Sequence, residues 1–306
     1  MKRFIVKTAI YVATLFSVVF LYTWYEVSLP ANLPFTTNSV SFNIKAKFIM
    51  EHQSLLNKSK VIVIGSSMSL NNLDCSQFRD SLNIPVINLS SWGMRMSDFN
   101  EFDVWKRDKI ILTNMNFPDF GSSIGGKKMG YPYTANTLIQ VLNTLLDYST
   151  YRSFRNECKD DTSDLAKYTY ENLKFDATGT ALLSDSNFNI NKYRWNAEYP
   201  DYTNEQFTDL LNTIKSNSIK VKKMIICFSP CRAAGYSNSK AASVLKFENA
   251  VNKACPNVIF LNYYDVKMPD NDFVDKYHFN CKGARLYTQK IIHDLKVNYG
   301  LTQWMN

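Results

Sequence analysis

Lys60-Val-Ile-Val-Ile64, running directly into Gly65-Ser66-Ser67-Met68-Ser69, is the stretch on which the fold of this 306-residue chain turns. Four consecutive β-branched residues without polar alternation describe a strand covered on both faces, the pattern of a parallel sheet. The glycine ends the strand, and the serines after it suit the start of a helix. Comparable runs recur at Ile84–Leu89, Lys109–Thr113, Met224–Phe228 and Asn257–Leu261. Segments of helical character lie between them, for example Asp98–Lys106 and Ala242–Lys253. The closing segment Lys282–Val297 places Ala284, Tyr287, Ile291 and Leu295 on one helical stripe. Strands alternating with helices predict an α/β fold, a three-layer α/β/α sandwich around a five-stranded parallel sheet.

Composition agrees with a packed domain: 45% of residues are hydrophobic, 20% are charged, and there are only 10 Gly and 9 Pro. Disordered and collagen-like chains are excluded. The net charge is +8, part of it in Lys2, Arg3 and Lys7, which precede the uncharged run Thr8–Tyr25. As a helix that run is about 27 Å long, nearly a bilayer core. No small-x-small site closes it, so residues 1–26 read as an uncleaved signal anchor, with a cleaved signal peptide as the alternative. The basic residues predict a cytoplasmic N-terminus and an extracytoplasmic body, with Tyr22, Trp24 and Tyr25 as an interfacial belt. Beyond residue 26, 32 Lys and Arg oppose 26 Asp and Glu, without basic clusters interleaved with aromatics. A nucleic-acid partner is therefore not expected.

Residues 27–57 read as a stalk, with Pro30 and Pro34, and a leading helix; residues 58–306 form the sheet domain. An insertion at about 117–220 separates the third and fourth strands with more chain than a crossover needs. Nine of the 18 tyrosines lie between Tyr131 and Tyr202, suited to stacking on sugar rings or to ordinary core packing. Within it, Gly121-Ser-Ser-Ile-Gly-Gly126-Lys127-Lys128 approaches a P-loop but has lysine where the magnesium-binding hydroxyl belongs, and reads as a basic loop. Six cysteines (Cys75, Cys158, Cys227, Cys231, Cys255, Cys281) allow disulfides in an exported protein or buried free thiols. Their spacing does not suit structural zinc.

Histidine is the usual acid/base near neutral pH, and only three are present. His52 and His293 read as solvated. His278 lies before the last helix, with Asp275 one turn upstream to orient its ring. Ser67 follows the first strand at the carboxyl edge of the sheet, where doubly wound folds bind ligands, although Ser66, Ser67 and Ser69 also suit helix capping. The second strand ends in Asn88-Leu-Ser-Ser-Trp-Gly93 and the third in Thr113-Asn-Met-Asn116-Phe117. A glycine N–H and an asparagine amide at that edge suit an oxyanion.

This ordered set resembles the SGNH (GDSL-like) hydrolase superfamily over about residues 58–298, the late Asp275-x-x-His278-x-Asn280-x-x-Gly283 being its most specific part. The resemblance implies a flavodoxin-like sheet, Ser67 as nucleophile, His278 as base, Asp275 as orienting acid, and Ser67, Gly93 and Asn116 as the oxyanion hole. Two departures stand out. Ser66 replaces the usual aspartate before the nucleophile, which is similar to membrane-anchored envelope-modifying members, and Asn114-Met-Asn116-Phe117 replaces Gly-x-Asn-Asp, leaving Asn114 as a substitute donor. The implied activity is an O-acylesterase or O-acyltransferase, most simply for O-acetyl groups on a cell-surface or secreted polysaccharide. The implied partners are that glycan, the membrane through the N-terminal helix, and a membrane acyl-donor protein. No metal or organic cofactor is implied. A non-catalytic envelope protein that binds a glycan or partner is the competing class.

Overall fold

The computed structural model describes residues 1–28, 45, 48–49, 52–102, 104–121, 137–146, 175–183 and 201–300. In chain order the helices are α1 (Lys2–Ser28), α2 (Gln53–Lys58), α3 (Ser67–Asn71), α4 (Cys75–Leu82), α5 (Thr137–Leu146), α6 (Asn204–Ser218), α7 (Asn238–Ala254) and α8 (Cys281–Tyr299). The strands are β1 (Val61–Val63), β2 (Val86–Asn88), β3 (Ile110–Met115), β4 (Lys223–Phe228), β5 (Cys231–Arg232), β6 (Val258–Asn262) and β7 (Lys267–Met268). The chain divides into two compact units, Met1–Glu51 with Gly126–Asn172, and His52–Gly125 with Leu173–Asn306.

The second unit carries the expected five-stranded parallel sheet, in the order β2-β1-β3-β4-β6. The strand order reverses direction between β1 and β3, and the crevice above such a switch point is where open α/β sheets bind ligands. Alternation along the strands divides the core. Val61, Val63, Ile110, Leu112, Ile225 and Leu261 form one cluster with Phe78 of α4 and Tyr287, Ile291 and Leu295 of α8. On the other face Phe247 of α7 stands edge-on to Phe260 of β6 at 6.0 Å and to Phe207 of α6 at 5.2 Å. Phe247 is wholly buried, so truncation to Ala would cost about 3–5 kcal/mol. The stripe Ala284, Tyr287, Ile291 and Leu295 is buried as its spacing predicts.

Two expectations are revised. Asp98–Lys106 is not an α-helix: a 3-10 helix covers Met96–Phe102, opened by Asp98 accepting the Arg95 N–H at 2.8 Å, a local bond that favours a tight turn. The far end of the 117–220 interval is α6, which belongs to the sheet unit and packs against α7 as an ordinary crossover helix. Tyr202, just before it, stacks on Phe120 at 4.2 Å, so this tyrosine serves packing. The other tyrosines of the interval, Trp195, Cys158, the Pro30–Pro34 stalk and the P-loop-like residues after Gly121 lie outside the described residues. Cys227, Cys231 and Cys255 are buried free thiols, Cys75 is buried and Cys281 is half-buried.

Candidate active site

The turn from β1 into α3 is set by Gly65. Its φ is +135°, and a Cβ there would lie 2.6 Å from Ser69 Oγ and 2.9 Å from Thr113 Oγ1, so glycine alone fits. Ser66 is the N-cap, its hydroxyl accepting the Met68 N–H at 3.2 Å. Of the three serines only Ser66 caps the helix. Ser69 Oγ accepts the Asn114 N–H at 2.7 Å and donates to the Asn114 carbonyl at 2.8 Å, locking α3 to β3. Ser67, at the first position of α3, points its hydroxyl to His278, with Oγ 2.7 Å from Nε2.

His278 arrives from the opposite end of the chain on a loop held from three sides. Asp275 accepts the backbone N–H groups of Tyr277 and His278, each at 2.7 Å, on Oδ1, and its Oδ2 lies 2.7 Å from His278 Nδ1. Asn72, five residues after Ser67, straddles the histidine: its Nδ2 donates to the Tyr277 carbonyl at 3.0 Å and its Oδ1 accepts the Phe279 N–H at 2.9 Å. Asn280 then caps α8, its Oδ1 accepting the Gly283 N–H at 2.9 Å. Gly283 is required because a Cβ would come within 2.2 Å of the Asp272 carbonyl oxygen. The spacing from Asp275 to Gly283 is thus a carboxylate that folds a turn, an imidazole, a cap and a close helix contact.

Electrostatics follows from burial and pairing. Burial alone would raise Asp275, but the charge of His278 and the three N–H groups it accepts outweigh it and hold the carboxyl below the ordinary aspartate range. Burial would lower His278, yet the Asp275 charge and hydrogen bond, with Asp119 further off, raise it above the ordinary histidine value. The expected Ser67, His278 and Asp275 therefore stand in series, with Ser67 and His278 partly buried.

The two asparagines of β3 part company. Asn114 Nδ2 donates to the Met68 carbonyl at 2.8 Å, and its Oδ1 accepts the hydroxyls of Ser229 and Tyr287, each at 2.9 Å. Both ends of the Asn114 amide are thus engaged within the fold, which ties it to α3, to Ser229 and to α8. Asn116 begins the turn after β3. Its Oδ1 accepts the Phe117 N–H at 2.7 Å, while its buried Nδ2 has no hydrogen-bond partner among the described residues. A buried amide N–H left open calls for an explanation, and a ligand oxygen supplies one. Gly93 lies half-buried in the turn after β2, at the same edge of the sheet.

Asp119 and Ser66 are partners that sequence reasoning passed over. The Asp119 carboxylate accepts the Asn116 backbone N–H at 2.7 Å and is hydrogen-bonded to Ser66. Burial pushes it up to about 6, against the pull of Ser66, the Asn116 N–H, His278 and Arg95. The signal available in sequence was the Asn-x-x-Asp spacing of a capping box at the start of the Phe117–Phe120 turn. Beside Ser66 and Asp119, a cavity of about 50 Å³ opens toward Arg95, Met96 and Leu210.

No family model and no curated protein matches the chain. Among solved structures the chain is similar to an active site mutant of a family two carbohydrate esterase from Clostridium thermocellum, at 10% identity and a TM-score of 0.39. The alignment covers 79% of this chain and 64% of that one, so this chain spans less than two thirds of that protein's length.

Proposed function

We propose that this protein is a serine-dependent O-acyl esterase or O-acyltransferase acting on a polysaccharide, held at the membrane by α1 with its sheet unit outside the cytoplasm. One observation carries the reading: Ser67 Oγ, His278 Nε2, His278 Nδ1 and Asp275 Oδ2 form a relay of two 2.7 Å contacts across 211 residues of chain. The resemblance of the surrounding sequence blocks to SGNH hydrolases supports it.

In the first half-reaction Ser67 Oγ attacks the acyl carbonyl carbon and its proton passes to His278 Nε2. As the tetrahedral intermediate collapses, the alcohol leaves with that proton and the acyl group remains on Ser67. Asp275 keeps the other ring nitrogen protonated and stabilises the imidazolium. The N–H groups of Ser67 and Gly93 and the open Asn116 Nδ2 hold the oxyanion. In the second half, water or a sugar hydroxyl gives a proton to His278 and attacks the acyl-serine, and Ser67 recovers its hydrogen. Esterase and transferase differ only in that second nucleophile.

Two measurements test this. A fluorophosphonate should label the wild type and not Ser67→Ala. An activated acetyl ester, incubated with and without oligosaccharide, should give acetate alone for an esterase or acetylated sugar for a transferase. An unlabelled wild type whose ester turnover equals that of Ser67→Ala would remove the acyl-serine reading and leave a glycan-binding or partner-binding protein.

A further inference from the structure

Helix α5 belongs to the same compact unit as α1 and packs against it. The span Lys2–Tyr25 of α1 has a mean hydropathy of 2.1, and among its described side chains only Phe20 and Thr23 are withdrawn from solvent. What rests on α1 therefore rests at that end, beside Tyr22, Trp24 and Tyr25 and away from Lys2, Arg3 and Lys7. In a membrane-spanning α1 this is the boundary where aromatic side chains settle.

The residues of α5 fit that boundary. No charged residue occurs from Met129 to Leu146, a run of 18. The helix itself has 10 residues, a length of roughly 15 Å, about half of a hydrocarbon core and too short to span one. Val141 is fully buried, while Leu138, Leu142 and Leu146, at successive i, i+4 positions, are 45%, 41% and 78% exposed. Three leucines in a row along one stripe form a continuous apolar surface, on a helix that packs against α1, whose own apolar side chains are exposed.

We propose that α5 is a second lipid-contacting element, lying in the headgroup and acyl boundary beside the exit end of α1 with Leu138, Leu142 and Leu146 turned into the bilayer. The inference rests on α1 being a membrane span, and it goes further by bringing part of the stretch after β3 to the lipid surface. Short amphipathic helices bind in this plane through buried apolar area. A lipid surface is favoured over a second copy of the chain because the helix that carries the stripe packs on α1, whose length and exposed apolar side chains suit a bilayer.

The full chain reconstituted in phosphatidylethanolamine and phosphatidylglycerol vesicles carrying a diazirine-bearing phosphatidylcholine provides the test, with adducts mapped by mass spectrometry after illumination. Lipid adducts are expected on α1 and on the 137–146 peptide. The variant Leu138→Ser, Leu142→Ser, Leu146→Ser should lower the second at least several-fold and leave the first. Adducts on α1 with none on 137–146 in the wild type overturn the inference and leave the anchor standing. Adducts joining 137–146 of two copies, in place of lipid, overturn it in favour of self-association. Absence of lipid adducts from both peptides overturns the anchor, and the inference with it. The wild-type pattern decides even where the triple variant fails to fold.

Discussion

Beneath the site, Asn71, Asn72 and Asn114 are buried amides with both ends engaged: Asn71 bonds the Ala181 carbonyl and the Trp92 indole N–H, Asn72 clamps the loop around His278, and Asn114 joins α3, the serine after β4 and α8. At the rim, Asn116 is equally buried but its N–H end is open, and Ser67 and His278 are partly buried. The same residue type thus builds the floor and equips the rim. Only a closed amide is accounted for by the fold itself, because an open buried one carries a desolvation penalty that a substrate oxygen can relieve. Floor substitutions should then act mainly on stability and rim substitutions mainly on turnover, and a reversed ranking of the two effects would break the distinction.

The largest effects fall on the relay. Ser67→Ala is expected to reduce hydrolysis of an activated acetyl ester by about 10⁴-fold or more with an unchanged unfolding midpoint. Asp275→Asn should bring a loss of about 10⁴-fold, since an amide in that place favours the wrong imidazole tautomer. Steady-state kinetics alongside thermal unfolding checks both. Turnover of Asp275→Asn within tenfold of wild type would show that His278 does not depend on this carboxylate.

The asparagine pair sharpens the comparison. Asn116→Ala removes the open donor and should lower kcat by about 10²–10³-fold. It also loses one cap, worth about 1 kcal/mol. Asn114→Ala leaves the Met68 carbonyl with the Asn72 N–H alone and takes the acceptor from the hydroxyls of Ser229 and Tyr287, and should lower stability by about 2 kcal/mol or more in denaturant titrations. The folded fraction should keep turnover closer to wild type than Asn116→Ala does. The reverse ranking would mean that Asn114, not Asn116, meets the substrate.

Legibility in the sequence followed the range of the interaction. All five sheet strands could be read within two residues of their ends because unbroken β-branched runs have few other uses in a soluble domain. The Ser67, His278 and Asp275 candidates were visible because each sits at a strand end or helix start, which is a local signal. Asn72 left no trace: its partners Tyr277 and Phe279 are 205 and 207 residues away, and nothing in Leu70-Asn71-Asn72-Leu73 announces them. Asn114 and Asn116 are two residues apart, which along a strand means one face, so spacing treats them alike; β3 ends at Met115, and partners from α8 and the serine after β4 engage Asn114 alone.

A smaller effect concerns pH. His278 must be neutral to accept the Ser67 proton, and its value is raised, so kcat/KM should fall on the acid side through a limb lying above the ordinary 6.5 of histidine. The raised His278 contributes stability that is complete below 6.5 and lost as pH rises through its folded value. The depressed Asp275 contributes stability present above 3.8 and lost as pH falls through its folded value. The pair therefore helps the fold most between those limits, on the acid side of neutrality, where the proposed turnover should be lowest. A pH-rate profile set against a pH-stability profile should show the two maxima apart.

The subtlest change is Asp119→Asn, which distinguishes charge from geometry at the rim. The amide oxygen can still accept the Asn116 N–H, and Ser66 keeps a partner, so the open Asn116 donor should stay in place. The anion is lost, and since Asp119 helps to raise His278, the acid limb of kcat/KM should move to lower pH while turnover at pH 8 changes less than about tenfold. Stability should respond with the opposite sign to Asp275. A carboxyl raised from 3.8 to about 6 weakens the fold as pH rises through that interval, and the variant should lack this fall. If Asp119→Asn leaves the acid limb in place and instead lowers turnover as far as Asn116→Ala does, Asp119 acts by holding Asn116 in position and its charge is incidental.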